Sequence, residues 1–240
     1  MKKLIYSFLF VFGAIVAHAQ APEYDDLKIL YADGNYEKLV KVAENYSMKE
    51  DLKKDPLPFV WLAKGLYKIS LSGTDDEKFK NAYKDAIAAL SKAIKNDKDQ
   101  TLLGDEEEFI SEFQLSLAEL VNNDLTAKDY NKASGWVIKY YKITRNPLCV
   151  SYIDGATKFR KADKSGANTI WKDADVKLAT ISVDSWSEAD ISIFKTGILQ
   201  TAECYIASKQ VDKAKTLLNK ATSLFEDDED FKAQCDELAK

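Results

Sequence analysis

From Tyr24 onward the apolar positions recur at three- and four-residue spacing and almost never alternate singly. That is the pattern of helices with one buried stripe, not of half-buried strands. Gly and Pro gather between these stretches, so the pattern predicts pairs of helices joined by short turns. The first pair runs over 24–33 and 36–48 and is divided by Gly34-Asn35, which can take the positive φ of a helix end. Charged residues 49–55 lead to Pro56 and Pro58, suited to a first helical turn, and to a second pair over 59–71 and 77–96. The third pair, 105–123 and 130–144, opens on Asp105-Glu106-Glu107-Glu108, where Asp105 and Glu108 have the spacing of a capping box. The fourth, 148–161 and 168–182, is expected to turn at Lys164-Ser165-Gly166. The fifth, 188–208 and 211–225, is followed by a short last helix over 229–238.

One stretch returns with a period. Tyr36, Tyr83 and Tyr130 are spaced by 47 residues. Each is followed at +3 by Leu39, Ala86 or Ala133, at +7 by Ala43, Leu90 or Val137, and at +10 by Tyr46, Ala93 or Tyr140. Val211, Ala214, Leu218 and Ala221 make a further copy. A single hairpin cannot bury both faces of its helices, so repeated hairpins stack and share a core. Ala86 and Ala133 would then let helices approach closely, with Leu90, Trp136 and Val137 filling the layers.

Ile198, Ala202 and Tyr205, followed by Val211, Ala214, Leu218 and Ala221, resemble the tetratricopeptide repeat, a unit of roughly 34 residues built from two antiparallel helices. Tyr83, Ala86, Leu90 and Ala93 resemble its second helix equally well; Phe113, Leu117, Leu120, Tyr130, Ala133 and Val137 match less closely. The resemblance implies an all-α fold: a right-handed superhelical array of about five antiparallel hairpins with a C-terminal capping helix, in one domain over 20–240. It also implies a concave groove, lined by the first helices, that holds an extended peptide or a partner's helix. On that register Lys28, Tyr31, Lys64, Tyr67 and Lys68 face the groove as ligand-binding residues. Such a basic, aromatic patch could receive a carboxylate or an acidic segment; the competing reading is a solvated helix face.

Residues 1–19 change the setting. Met1-Lys2-Lys3, an apolar run to Ala17 and the small-residue site Ala17-His18-Ala19 read as a secretory signal cleaved near Ala19. The run is shorter than the ~20 residues of a spanning helix, so an exported chain, periplasmic or secreted and without membrane insertion after cleavage, is expected. Losing Lys2 and Lys3 takes the formal net charge from −5 to −7. With Arg145 and Arg160 its only arginines, the chain lacks the clustered positive charge by which proteins neutralise phosphates, and nucleic acid is not an expected partner.

His18, the only histidine, falls within the signal. The mature chain therefore cannot build a Ser-His-Asp or Cys-His arrangement or most zinc sites. Cys149, Cys204 and Cys235 read as small apolar helix residues, with a Cys204–Cys235 bridge as the sharper alternative. Residues 97–108 place oxygens at calcium-loop positions, but Leu102 stands where that loop needs Gly, so the segment reads as a loop and a helix cap. The four tryptophans read as core more than as a sugar-stacking platform. The expectation is a non-enzymatic exported adaptor or scaffold that binds a protein or peptide partner in the cell envelope. It would have no catalytic residue, metal or cofactor. A small-molecule or glycan-binding protein is the alternative.

Overall fold

The computed structural model describes residues 24–73 and 75–240, and of Leu102 and Leu103 the backbone alone. The proposed signal sequence lies outside the described residues. Among them the chain forms eleven α-helices and no strand: α1 (Asp25–Ala32), α2 (Tyr36–Met48), α3 (Leu57–Ser72), α4 (Ala82–Asn96), α5 (Leu102–Thr126), α6 (Tyr130–Tyr140), α7 (Pro147–Arg160), α8 (Lys164–Leu178), α9 (Glu188–Ala207), α10 (Val211–Thr222) and α11 (Glu229–Leu238). A single 3-10 turn, Glu77–Phe79, precedes α4. None of the described helices is long and apolar enough to cross a membrane.

Consecutive helices pack in pairs, α1 on α2, α3 on α4, α5 on α6, α7 on α8 and α9 on α10, and α11 closes against α9 and α10. Between pairs, α2 meets α3, α6 meets α7, and α7 lies along α9. One contact skips a pair, since α5 also packs on α9.

The turns within four of the pairs share one geometry. Gly34, Lys128, Ala162 and Lys209 all have positive φ, between 57° and 69°. The next residue donates its N–H back five positions: Asn35 to Leu30, Asp129 to Asp124, Asp163 to Lys158 and Gln210 to Tyr205, at 2.8–2.9 Å. This is the left-handed helix stop that satisfies otherwise orphaned carbonyls. In three of the four, the same residue opens the next helix: Asn35, Asp129 and Asp163 cap the N–H groups of Lys38, Lys132 and Gly166.

This geometry corrects the expected turn at residues 164–166. The chain turns at Ala162, and Lys164 already belongs to α8, because Asp163 is the cap. Gly166 leaves room for it, since a Cβ there would meet Asp163 Oδ2 at 2.3 Å. Other boundaries move as well, among them the ends of α5 at Thr126, α8 at Leu178 and α10 at Thr222. Helix α5 begins three residues before the expected capping box, from Thr101 without a side-chain cap. The continuous helix expected over 77–96 is interrupted before Ala82. Helix α6 ends at Tyr140, and beyond it Thr144 turns its hydroxyl to Asp190.

Most of the repeat positions form the core, although Tyr36, Tyr46, Tyr83 and Tyr130 are half-buried and Val211 is exposed. Leu39, Ala43, Ala86, Leu90, Ala93, Ala133, Val137, Tyr140, Ala214, Leu218 and Ala221 are all buried. One continuous apolar cluster runs from Val40 to Cys235, and a smaller one joins Tyr24 and Leu27 to Leu39, Ala43 and Trp61. The three cysteines are buried and free, so the Cys204–Cys235 bridge is not formed. Trp61 and Trp171 are buried, and Trp136 and Trp186 pack against the core from the side. Helix α7 sits at the crowded centre: a Cβ on Gly197 of α9 would come within 2.8 Å of the Ile153 backbone nitrogen.

Candidate functional site

The residues singled out by sequence fall at the junction of α1, α3 and α5. Tyr31 packs against Trp61, with ring centroids 5.8 Å apart. Lys64 Nζ lies 4.3 Å from the Trp61 ring centre and 5.7 Å from that of Tyr31. Tyr67 is only 4% exposed and packs on Phe113 at 4.7 Å, within a ring cluster that includes Tyr83 and Phe109. Lys28 stands apart on α1 and pairs with Asp25 at 3.0 Å.

The patch is already neutralised from within. Lys64 forms an ion pair with Glu106, the two side chains 13% and 11% exposed, and Lys68 pairs with Glu112 at 3.2 Å. Both glutamates come from α5, so that helix fills the place an acidic ligand would take. Burial raises the Tyr31 hydroxyl pKa, with the Lys68 ammonium opposing the shift. The same glutamate raises that of Lys68 against its own desolvation. Both groups stay in their neutral-pH states, and the arrangement holds helices together.

An open concave space lies at the other end of α5. A cleft of about 590 Å³ is lined by Asn122, Leu125 and Thr126 of α5, Tyr130 of α6, Arg160 of α7, Thr196, Leu199, Gln200 and Glu203 of α9, and Gln234 and Leu238 of α11, with Lys128 and Glu237 at its rim. It exists because α5 and α9 run side by side in the same sense: residues 104–114 and 185–190 share a smaller pocket at their starts, residues 122–126 and 196–203 the cleft at their ends. Arg160 stands in its wall, the guanidinium carbon 5.1 Å from the Tyr130 ring centre. It donates from Nη1 to the Tyr130 hydroxyl at 3.0 Å and from Nη2 to Gln200 Oε1 at 2.9 Å and to Glu203. Its Nε is buried without a hydrogen-bond acceptor.

The smaller pocket, about 190 Å³, is bordered by Gln114, Arg145, Asn146, Ser187 and Asp190. Asp190 is only 3% exposed. It accepts from the Tyr140 hydroxyl at 3.1 Å, Thr144 Oγ1 at 2.9 Å, Asn146 Nδ2 at 2.6 Å and the Cys149 thiol at 3.3 Å. Four donors offset the cost of burying a carboxylate that forms no ion pair among the described residues, Arg145 being paired with Asp97. Burial, aided by Asp190, pushes the Cys149 thiol and the Tyr140 hydroxyl well above their ordinary pKa, so neither supplies a nucleophile near neutral pH. The knot ties the α6–α7 corner to the start of α9.

Among the described residues no three His, Cys, Asp or Glu side chains gather into a group able to hold a metal ion. In the segment weighed as a calcium loop, Asp97 is bonded by Arg145, and Asp105–Glu108 lie inside α5. The sequence pattern assigns none of Tyr130, Arg160, Gln200 and Glu203 to a binding site, Tyr130 being read only as a repeat position and Arg160 only as one of two arginines. One signal was visible: the chain has 34 basic residues and only two are arginines, Arg145 and Arg160. Each borders one of the two pockets on the α5–α9 seam. The chain matches no protein-family model, and no curated protein matches it.

Proposed function

We infer that the protein is a non-enzymatic adaptor that holds an extended segment of a protein partner in the cleft between α5, α7 and α9. The observation that carries this reading is the cleft itself. It is open, lined mainly by the first helices of their pairs, and mixes apolar side chains with carboxamides and hydroxyls, a lining suited to a ligand with both a carbon skeleton and hydrogen-bonding groups. The buried repeat positions support a tetratricopeptide-like array. So do the matching turns, of which those at Lys128 and Ala162 lie 34 residues apart, the length of the family's unit. Export to the cell envelope rests on residues 1–19. The binding face moves from Lys28, Tyr31, Lys64, Tyr67 and Lys68 toward the C-terminal pairs, because Lys64 and Lys68 already hold carboxylates of their own chain. The glycan alternative gains no platform, since no tryptophan is exposed among the described residues.

The test is site-specific photo-crosslinking in cells, with a benzoylphenylalanine at Thr196 inside the cleft and, separately, at the exposed Leu71 on α3 outside it. A discrete protein adduct at Thr196 that is missing at Leu71 is expected. Identical adducts at both positions, or none at Thr196, would remove the cleft as the binding face.

A further inference from the structure

Arg160 fixes the direction of the hydrogen bonds around it. A guanidinium can only donate. The Tyr130 oxygen therefore accepts from Nη1, and its own proton must point elsewhere. Gln200 is oriented in the same way: its Oε1 accepts from Nη2, so its NH₂ end is turned away from Arg160. Neither the Tyr130 O–H nor the Gln200 NH₂ has a protein acceptor among the described residues, and both residues line the cleft. The common guanidinium thus occupies the acceptor side of both groups and leaves their donors unengaged by the chain.

Their ligand needs an acceptor, and the surrounding charge decides which kind. Glu203 and Glu237 border the same space as Lys128 and Arg160, and Arg160 is already paired with Glu203. The four formal charges cancel, and a carboxylate bound at Tyr130 and Gln200 would meet the Glu203 carboxylate at close range. An uncharged carbonyl meets no such repulsion, and Leu125, Leu199 and Leu238 offer apolar contact beside it.

Building on the peptide-groove reading, we propose that Tyr130 and Gln200 bind a main-chain carbonyl of the partner segment, with Arg160 as the positioning residue that turns both into donors. The cleft then reads backbone more than side chain and tolerates varied sequences. Acidic termini are disfavoured.

The experiment is an NMR titration of the full chain with N-acetylalanine N-methylamide, an uncharged capped residue carrying two carbonyls. The Gln200 side-chain amide and the backbone signals of Thr196 and Leu199 are expected to shift, and acetate at equal concentration to leave them in place. Gln200→Glu keeps an oxygen toward Arg160 but turns the outward end from donor to acceptor. It should weaken the probe about tenfold, as expected for a lost hydrogen bond, with the melting temperature unchanged. Tyr130→Phe should weaken it several-fold. Undiminished binding in Gln200→Glu, acetate acting as well as the capped residue, or N-acetylglucosamine binding more tightly than either would each overturn the assignment. A Thr196 crosslink that persists while the capped residue has no effect would sink the carbonyl site and leave the groove standing. Loss of both would remove the groove as well.

Discussion

The α1–α3–α5 junction and the α5–α9 cleft are built from the same parts. In each, a cation from a first helix lies against an aromatic ring and pairs with a glutamate of another helix: Lys64 with Trp61 and Glu106, Arg160 with Tyr130 and Glu203. The difference lies in what fills the remaining space. At the junction, Tyr31, Trp61 and Phe109 close around the cation. In the cleft, Asn122, Thr126, Thr196 and Gln200 line the space near Arg160 and leave a hollow. A cation beside an aromatic residue therefore does not mark a binding face by itself. The volume of the neighbours decides whether the motif is a tie or a site.

The sharpest way to break this comparison is to remove each cation. Lys64→Met leaves Glu106 charged and largely covered, and should cost about 3 kcal/mol in urea denaturation; adding Glu106→Gln should restore most of it. Arg160→Met, whose partner Glu203 is 42% exposed, should cost less than half as much. Equal losses would mean that the cleft is as much a structural tie as the junction. Next in size is Gly197→Ala, which pushes α9 off the Ile153 backbone and should lower stability by ~1–3 kcal/mol through overpacking. Wild-type stability in that variant would argue against the close α7–α9 crossing.

Alkaline titration separates the halves more gently. Burial pushes the Cys204 thiol beside Arg160 up to about 11, and the Tyr83 hydroxyl at the junction up to about 12. A group with a raised folded pKa loses its proton first in the unfolded chain, so stability falls as pH rises through and beyond the unfolded value near 9 for Cys204, and near 10 for Tyr83. Cys204→Ala should flatten the melting-temperature slope from pH 9 upward, and Tyr83→Phe only from pH 10. Identical slopes in both variants would show that other groups dominate. The smallest effect belongs to Lys68→Ala: with both partners partly solvated, the loss should stay within ~1 kcal/mol and shrink further in salt.

What the sequence made legible follows from how local each determinant is. Tyr36, Tyr83 and Tyr130 mark the starts of α2, α4 and α6 because the spacing of apolar residues depends only on near neighbours. The turn at Ala162 was misplaced by two residues because no glycine announces its positive φ, whereas Gly34 announced the first. The state of Lys68 could not be read at all, since its partner Glu112 lies 44 residues further along the chain. Nor could the cleft, which needs α5, α7, α9 and α11 brought together. The scarcity of arginine was the one clue in plain view, and both arginines prove to line cavities.

The contact between α5 and α9 carries a consequence for folding. In a stack where each repeat touches only its neighbours, stability adds up along the array, and an end can fray while the rest persists. Here α9 binds α7 and α5 of other pairs as well as α10 and α11, so releasing it strips partners on both sides at once. Closing that contact must also wait for the intervening chain to collapse, a loop-closure cost that slows folding. The segment from α5 to α10 should accordingly melt as a single cooperative block, with α1 the first element to detach.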